Sequence, residues 1–116
     1  MRDIKFRAWY TYRNSFYVYG LEAIRMLIAK PNGSDAVIEQ YTGIKDKNGV
    51  EIYENDIVRQ QMRFDETNGV IFWQEEKSRF AINLDGFITT ITKPQEDSYE
   101  VVGNIHENPE LLEGTK

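Results

Sequence analysis

The chain has no cysteine among its 116 residues, and it has only one histidine, His106. The lack of cysteine excludes disulfides, thiolate metal sites and cysteine nucleophiles. A lone histidine has no second histidine with which to share a metal and no visible nucleophile to activate. We therefore interpret His106 as a structural residue at the end of the last strand, and we expect no catalytic residue, no metal and no cofactor.

Long apolar runs are also missing, and no stretch approaches the ~20 apolar residues of a membrane span. The first nine residues mix charged and apolar side chains, which predicts that no secretory signal is present. The eight glycines are scattered singly, so the sequence has no phosphate-binding loop. We expect a cytoplasmic protein that does not contact membranes.

The length of the chain suits one domain. We predict a single domain over residues 1–116, with residues 1–35 as a possible N-terminal subregion and residues 36–112 as a β-barrel-like core. The net charge of -5 opposes general binding to nucleic acid, because phosphates repel an acidic protein. The charge is uneven, since residues 1–30 hold six basic and two acidic side chains, whereas the remainder hold eight and seventeen.

Apolar and polar residues alternate over several short runs, which is typical of half-buried strands. The predicted strands cover residues 4–12, 16–19, 36–42, 57–59, 70–73, 79–84, 87–92 and 99–105. Turn-forming residues separate these runs, as in Asp46-Lys47-Asn48-Gly49. Short strands at intervals of roughly ten residues favour a small barrel or sandwich.

Helical signals are confined to two short segments. Apolar residues recur at helical spacing from Leu21 to Ile28, before a stop at residues 30–33, although an irregular strand is the alternative there. Near the C-terminus, Asn108 is a predicted cap and Pro109 suits the first position of a short helical turn. The predicted fold class is therefore mainly β, a β-rich α+β fold with a small, partly open SH3-like barrel, an N-terminal hairpin and helix, and a C-terminal helical turn.

The predicted N-terminal hairpin is rich in aromatic and basic residues. Seven aromatic residues lie within the first twenty positions. Basic side chains interleaved with aromatic rings suit unpaired nucleic acid, but aromatic residues are also common in strands for packing alone. The candidate residues for contact with nucleic acid or a protein partner are Lys5, Arg7, Trp9, Tyr12, Arg13 and Tyr17. Core packing or contact between subunits is the favoured interpretation.

Acidic residues cluster without forming a recognisable metal loop. Asp46, Glu51, Glu54 and Asp56 do not follow the alternating spacing of a calcium loop, so we interpret them as a solvated turn. The adjacent pairs at residues 65–66 and 75–76 diverge if they lie on strands, which argues against acid and base catalysis.

Three stretches resemble the YopX family of phage and prophage proteins. They are RDIKFRAW at residues 2–9, QYTGIKDKNGVEIYENDIV at residues 40–58 and VVGNIHENPELL at residues 101–112. Asn55 departs from the family pattern, in which a glycine is expected, but Asn tolerates the left-handed backbone region better than most residues. The resemblance implies a phage-derived protein and carries no activity to any residue here.

We therefore expect a non-enzymatic binding or assembly module of a phage or prophage, located in the cytoplasm of the bacterial host. It is expected to form a homo-oligomer or to bind an unknown phage or host protein. Two alternatives stay open. One is a single-strand nucleic-acid binder that uses the N-terminal hairpin, and the other is an enzyme whose site forms only between subunits.

Overall fold

The structure is a computed structural model that describes residues 4–11, 15–28 and 36–112, with the side chains of residues 26–28 excepted. Contacts within the chain divide it into two compact units, Met1–Tyr41 and Thr42–Lys116. The boundary falls inside a strand, β3, which spans Ala36–Lys45. No helix in the described part of the chain is long and apolar enough to cross a membrane.

The first unit contains a three-stranded antiparallel arrangement. It consists of β1 at Phe6–Tyr10, β2 at Phe16–Tyr19, α1 at Leu21–Ile28 and the first part of β3. β1 is central, because it pairs with β2 on one side and β3 on the other. The predicted helix is confirmed, and it contacts both β1 and β2. β1 begins at Phe6 rather than at the predicted Ile4, and the predicted end of this strand at Tyr12 lies outside the described residues.

The second unit contains a five-stranded antiparallel sheet in the order β8-β7-β6-β5-β9. Its strands are β5 at Asp56–Gln61, β6 at Glu66–Gln74, β7 at Arg79–Leu84, β8 at Phe87–Thr90 and β9 at Tyr99–Asn104. A further strand, β4 at Glu51–Tyr53, is hydrogen-bonded to β3. In the described part of this unit, 3₁₀ helices occupy Glu75–Lys77, Lys93–Ser98 and Pro109–Leu112. β6 begins earlier than predicted, because it pairs with β5 as far as Gln61 and Glu66.

One apolar cluster forms the core of the second unit. Its buried members are Ile52, Val58, Ile71, Ile82, Leu84, Ile91 and Tyr99. Ile52 comes from β4, and the other members come from the sheet and its connections. β4 therefore covers the apolar face of the sheet, and β4 and the sheet together form a half-barrel. Burial of each large aliphatic side chain contributes about 1.5–3 kcal/mol. The predicted β-rich fold with a partly open, barrel-like core is confirmed.

Candidate interaction surface and the turns of the sequence motifs

The predicted contact residues of the N-terminal hairpin fall mostly on one face of its sheet. Arg7 lies opposite Tyr19 on β2 and Glu39 on β3, and Trp9 lies opposite Tyr17. Side chains alternate between the faces of a strand, so these five share a face. The structure therefore brings together Arg7, Trp9 and Tyr17 from the predicted set. Tyr12 and Arg13 lie outside the described residues.

Arg7 and Glu39 form a buried ion pair. The Arg7 Nε lies 2.7 Å from Glu39 Oε1, and the two residues are only 4% and 0% exposed. The Tyr17 hydroxyl donates to the same oxygen at 2.9 Å, and the Arg7 guanidinium lies 4.0 Å from the centre of the Tyr17 ring. A phosphate that drew Arg7 away would leave the buried Glu39 carboxylate without its ion-pair partner, which costs about 3–5 kcal/mol. Arg7 is thus bound within the fold.

Trp9 is also part of the packing of this face. It is 7% exposed, and its ring meets Tyr17 edge to face at 4.9 Å between centroids. Lys5 is exposed, with its ammonium group 5.6 Å from the centre of the Tyr41 ring. Nucleic-acid contact by this set stays a prediction, but the described conformation buries the arginine and the indole on which it depends.

Sequence reasoning missed Glu39, which is the partner that holds Arg7. The signal was present, because Glu39 is the only charged residue in the predicted strand at residues 36–42. A charge inside an otherwise uncharged strand is either exposed or paired. Its partner lies 32 residues away along the chain, so the sequence did not identify it.

Exposed apolar side chains are numerous in the described part of the first unit. They are Ile4, Phe16, Tyr19, Leu21, Ile24, Val37 and Ile38. On α1, Leu21 is 79% exposed and Ile24 is 42% exposed, whereas Ala23 is fully buried. Phe16 and Ile38 lie on the sheet face opposite that of Tyr19 and Val37, so the strand residues do not form one patch. Leu21 and Ile24 are three residues apart on α1 and share a helix face, and we refer to this pair as the first-unit apolar surface.

In the second unit, Asp46 holds a tight turn against β9. Its Oδ1 accepts hydrogen bonds from the amides of Asn48 at 2.8 Å and Val50 at 2.9 Å. Its Oδ2 accepts from the amide of Val101 at 2.9 Å. Gly49 has a φ of 82°, as the predicted turn requires. A carboxylate that accepts several amide bonds is a structural group, and Asp46 fixes the motif at residues 40–58 to the strand that carries the other motif.

Asn55 and Asp56 form a second fixed turn. The Asp56 Oδ2 accepts from the Tyr53 amide at 2.8 Å. Asn55 has a φ of 68°, so the left-handed turn expected for a glycine is kept by asparagine. The amide of Asn55 donates to Ile71 at 2.8 Å, and its carbonyl accepts from Ile105 at 3.0 Å. The prediction that the turn survives this substitution is confirmed.

The end of β9 is fixed by two asparagines. The Asn104 Oδ1 accepts from the amides of His106 and Glu107. Asn108 directly precedes the helical turn at Pro109–Leu112, as predicted, and its Oδ1 accepts from the amide of Asn104, on the strand side, at 3.2 Å. The Asn108 backbone carbonyl accepts from Leu111. A Cβ atom on Gly103 would lie only 2.5 Å from Asn108 Oδ1, which explains why a glycine occupies that position.

The acidic residues of these turns are not arranged as a metal site. Within residues 4–11, 15–28 and 36–112, no group of three or more His, Asp or Glu residues is placed to hold a metal ion. Asp46 and Asp56 are 4% and 3% exposed, and both use carboxylate oxygens to accept backbone amides. The interpretation of this cluster as a solvated turn is therefore wrong for these two residues, because their carboxylates lie inside the turns and close them.

A small open cavity lies on the second unit, with a volume of about 240 Å³. Its lining consists of Asn68, Val70, Asn83, Asp85, Gly86 and Leu112. Asn68 Nδ2 donates to the Leu111 carbonyl, and Asn83 Oδ1 accepts from the Gly86 amide, so each amide side chain uses one polar atom within the fold. Typical small-molecule pockets are larger, at about 300–1,000 Å³.

The described residues thus define a class of small β-rich protein with buried polar turns and an exposed apolar surface. A family model described as "YopX protein" matches residues 19–113, and the chain belongs to the YopX family. Of the three resembling stretches, the second and third lie within this match, whereas residues 2–9 precede it.

Among solved structures, the chain is similar to protein EF1440 from Enterococcus faecalis. The two share 28% sequence identity, and the alignment covers 97% of this chain and 100% of the other with a TM-score of 0.60. A search of curated proteins found no match.

Proposed function

We propose that the protein is a non-enzymatic binding or assembly module that acts by surface recognition and self-associates. In this proposal it is encoded by a phage or prophage and works in the cytoplasm of the bacterial host. Membership of the YopX family supports this assignment, because the resemblance implied a phage-derived protein. The described side chains of the family motifs support it too, because Asp46, Asp56 and Asn104 serve to fix turns.

The observation that carries the proposal is the first-unit apolar surface. Leu21 and Ile24 lie on an eight-residue helix and expose apolar area to solvent that a partner would cover. Burial of one such side chain contributes about 1.5–3 kcal/mol to association. A second copy of the chain is the first partner to test, because it is present in every preparation.

Sedimentation across micromolar concentrations tests the proposal. The wild type is expected to sediment as a dimer or larger species. The double variant Leu21→Gln, Ile24→Gln should weaken association by at least about tenfold, since both side chains lose apolar area at the contact. Phe64→Gln is the matched control, because Phe64 is 90% exposed in the second unit. A wild type that stays monomeric at every concentration contradicts self-association.

The two alternatives have less support. Single-strand nucleic-acid binding draws on the excess of basic residues in positions 1–30, but Arg7 and Trp9 are buried in the described conformation. Quenching of Trp9 fluorescence by an oligonucleotide at low salt would favour it. An enzyme whose site forms between subunits would need polar groups that converge at a contact between copies.

A further inference from the structure

Strand β8 is the terminal strand of the five-stranded sheet, and it pairs only with β7 in that sheet. Its first two residues, Phe87 and Ile88, are 62% and 40% exposed. An edge strand presents backbone donors and acceptors to solvent, which makes it a template for another strand.

The register shows which backbone groups face outward. The Ile91 amide donates to the Phe80 carbonyl at 3.4 Å, so these two residues form a hydrogen-bonded pair that continues the ladder of β7 and β8. Hydrogen-bonded and non-hydrogen-bonded pairs alternate along an antiparallel ladder. Phe87 and Thr89 therefore bond to β7, whereas the amides and carbonyls of Ile88 and Thr90 face away from it.

This edge lacks charge and proline, two features that block strand addition, although β8 itself is only four residues long. Residues 87–92 read FITTIT, with no charge and no proline. Natural edge strands are commonly protected by lysine, proline or a bulge. The β-branched residues of this segment also favour the extended conformation.

We propose that β8 pairs antiparallel with β8 of a second copy of this chain, around a two-fold axis at Thr89. In this register Ile88 pairs with the partner's Thr90, and Thr90 pairs with the partner's Ile88, so every outward group of the strand is bonded. The proposal rests on the assembly role, and it assigns the second unit a contact between copies that is separate from the first-unit apolar surface.

The neighbouring residues select this register over its alternatives. An axis at Ile88 needs the outward groups of Gly86, but the Gly86 amide donates to Asn83 Oδ1 at 2.7 Å. An axis at Thr90 needs those of Thr92, whose amide donates to the Tyr99 hydroxyl at 3.1 Å. An axis at Thr89 needs no group of Gly86 or Thr92. It uses the outward amides and carbonyls of both Ile88 and Thr90.

The charges that flank β8 complement each other in the same register. Asp85 precedes the strand and Lys93 follows it, and both are exposed. Antiparallel pairing about Thr89 brings each Asp85 to the end of the strand at which the partner's Lys93 lies. Opposite charges thus meet at both ends, and an isologous contact of this kind closes at two copies.

Cysteine cross-linking tests the pairing, because the natural chain has no cysteine. Thr89→Cys places two thiols across a non-hydrogen-bonded pair, where Cα atoms lie about 4.5 Å apart and a disulfide fits. Mild oxidation at micromolar concentration should convert most of this variant to a covalent dimer. Thr67→Cys is the matched control, because Thr67 is a half-buried threonine on the inner strand β6. Equal cross-linking of the two variants overturns the proposal.

A proline at position 88 supplies the second test. Ile88→Pro removes an outward amide, and the register shows that no hydrogen bond between β7 and β8 uses that amide. The double variant Ile88→Pro, Thr89→Cys should show a cross-linked fraction about tenfold lower than that of Thr89→Cys alone. The control double variant Ile88→Val, Thr89→Cys should show the same fraction as Thr89→Cys alone. A wild type that self-associates while Thr89→Cys fails to cross-link would refute the β8 contact and keep the assembly role. A monomeric wild type without cross-linking would refute both.

Discussion

Replacement of Asp46 by asparagine removes the group that fixes the turn at residues 46–50 to β9. The carboxylate accepts amides from Asn48, Val50 and Val101. Asparagine has only one acceptor oxygen, so its NH₂ group must face one of the backbone amides. Both groups are donors, and the hydrogen bond between them is lost. A hydrogen bond to a charged group contributes about 1.5–3 kcal/mol, against about 1 kcal/mol for a neutral one. Loss of one bond and weakening of the others predict a destabilisation of about 3 kcal/mol.

Urea unfolding followed by circular dichroism measures this effect. With a slope of about 1.5 kcal/mol/M, the midpoint of Asp46→Asn should fall by about 2 M. Asp65→Asn is the matched control, because it makes the same change of charge at an exposed position of the same unit. An exposed substitution of this kind stays within about 0.5 kcal/mol. Equal midpoints for the two variants would show that Asp46 does not hold the turn to β9.

Two further predictions concern β9. Gly103→Ala should destabilise the protein by about 1–3 kcal/mol through overpacking against Asn108, and the loss should shrink in an Asn108→Ala background, as a double-mutant cycle by urea unfolding would measure. Burial raises the pKa of Tyr99 above its ordinary value of 10.0, although hydrogen bonds with Thr92 partly oppose the shift. Above about pH 10 the unfolded state loses the Tyr99 proton while the folded state still holds it. The contribution of Tyr99 to the free energy of unfolding is therefore complete below about pH 10 and declines at higher pH. The stability difference between wild type and Tyr99→Phe should therefore narrow above that pH, and a constant difference would contradict the shift.

The sequence correctly predicted those turns and strands that depend on the conformational preferences of neighbouring residues. The turn at residues 46–49 and the left-handed Asn55 follow from the conformational preferences of Asn and Gly. The hairpin of β6 and β7 follows from alternation of period two. The hairpin between β5 and β6 was missed, because its tip carries Arg63 and Phe64 and has no glycine or proline. A backbone bond from the Met62 amide to the Asp65 carbonyl closes that turn instead.

The sequence by itself determined the β-rich class, the family and the crowding of aromatic residues near the N-terminus, since composition and short motifs carry that information. Only the tertiary structure decided which polar groups are buried and which groups they bond to inside the fold. Arg7 meets Glu39 across 32 residues, and Asp46 meets Val101 across 55. Such pairs depend on strand register, which is set by the packing of a whole face of the sheet, and no local pattern encodes it. For that reason the sequence presented Arg7 as a candidate contact residue, whereas the structure buries it in an ion pair.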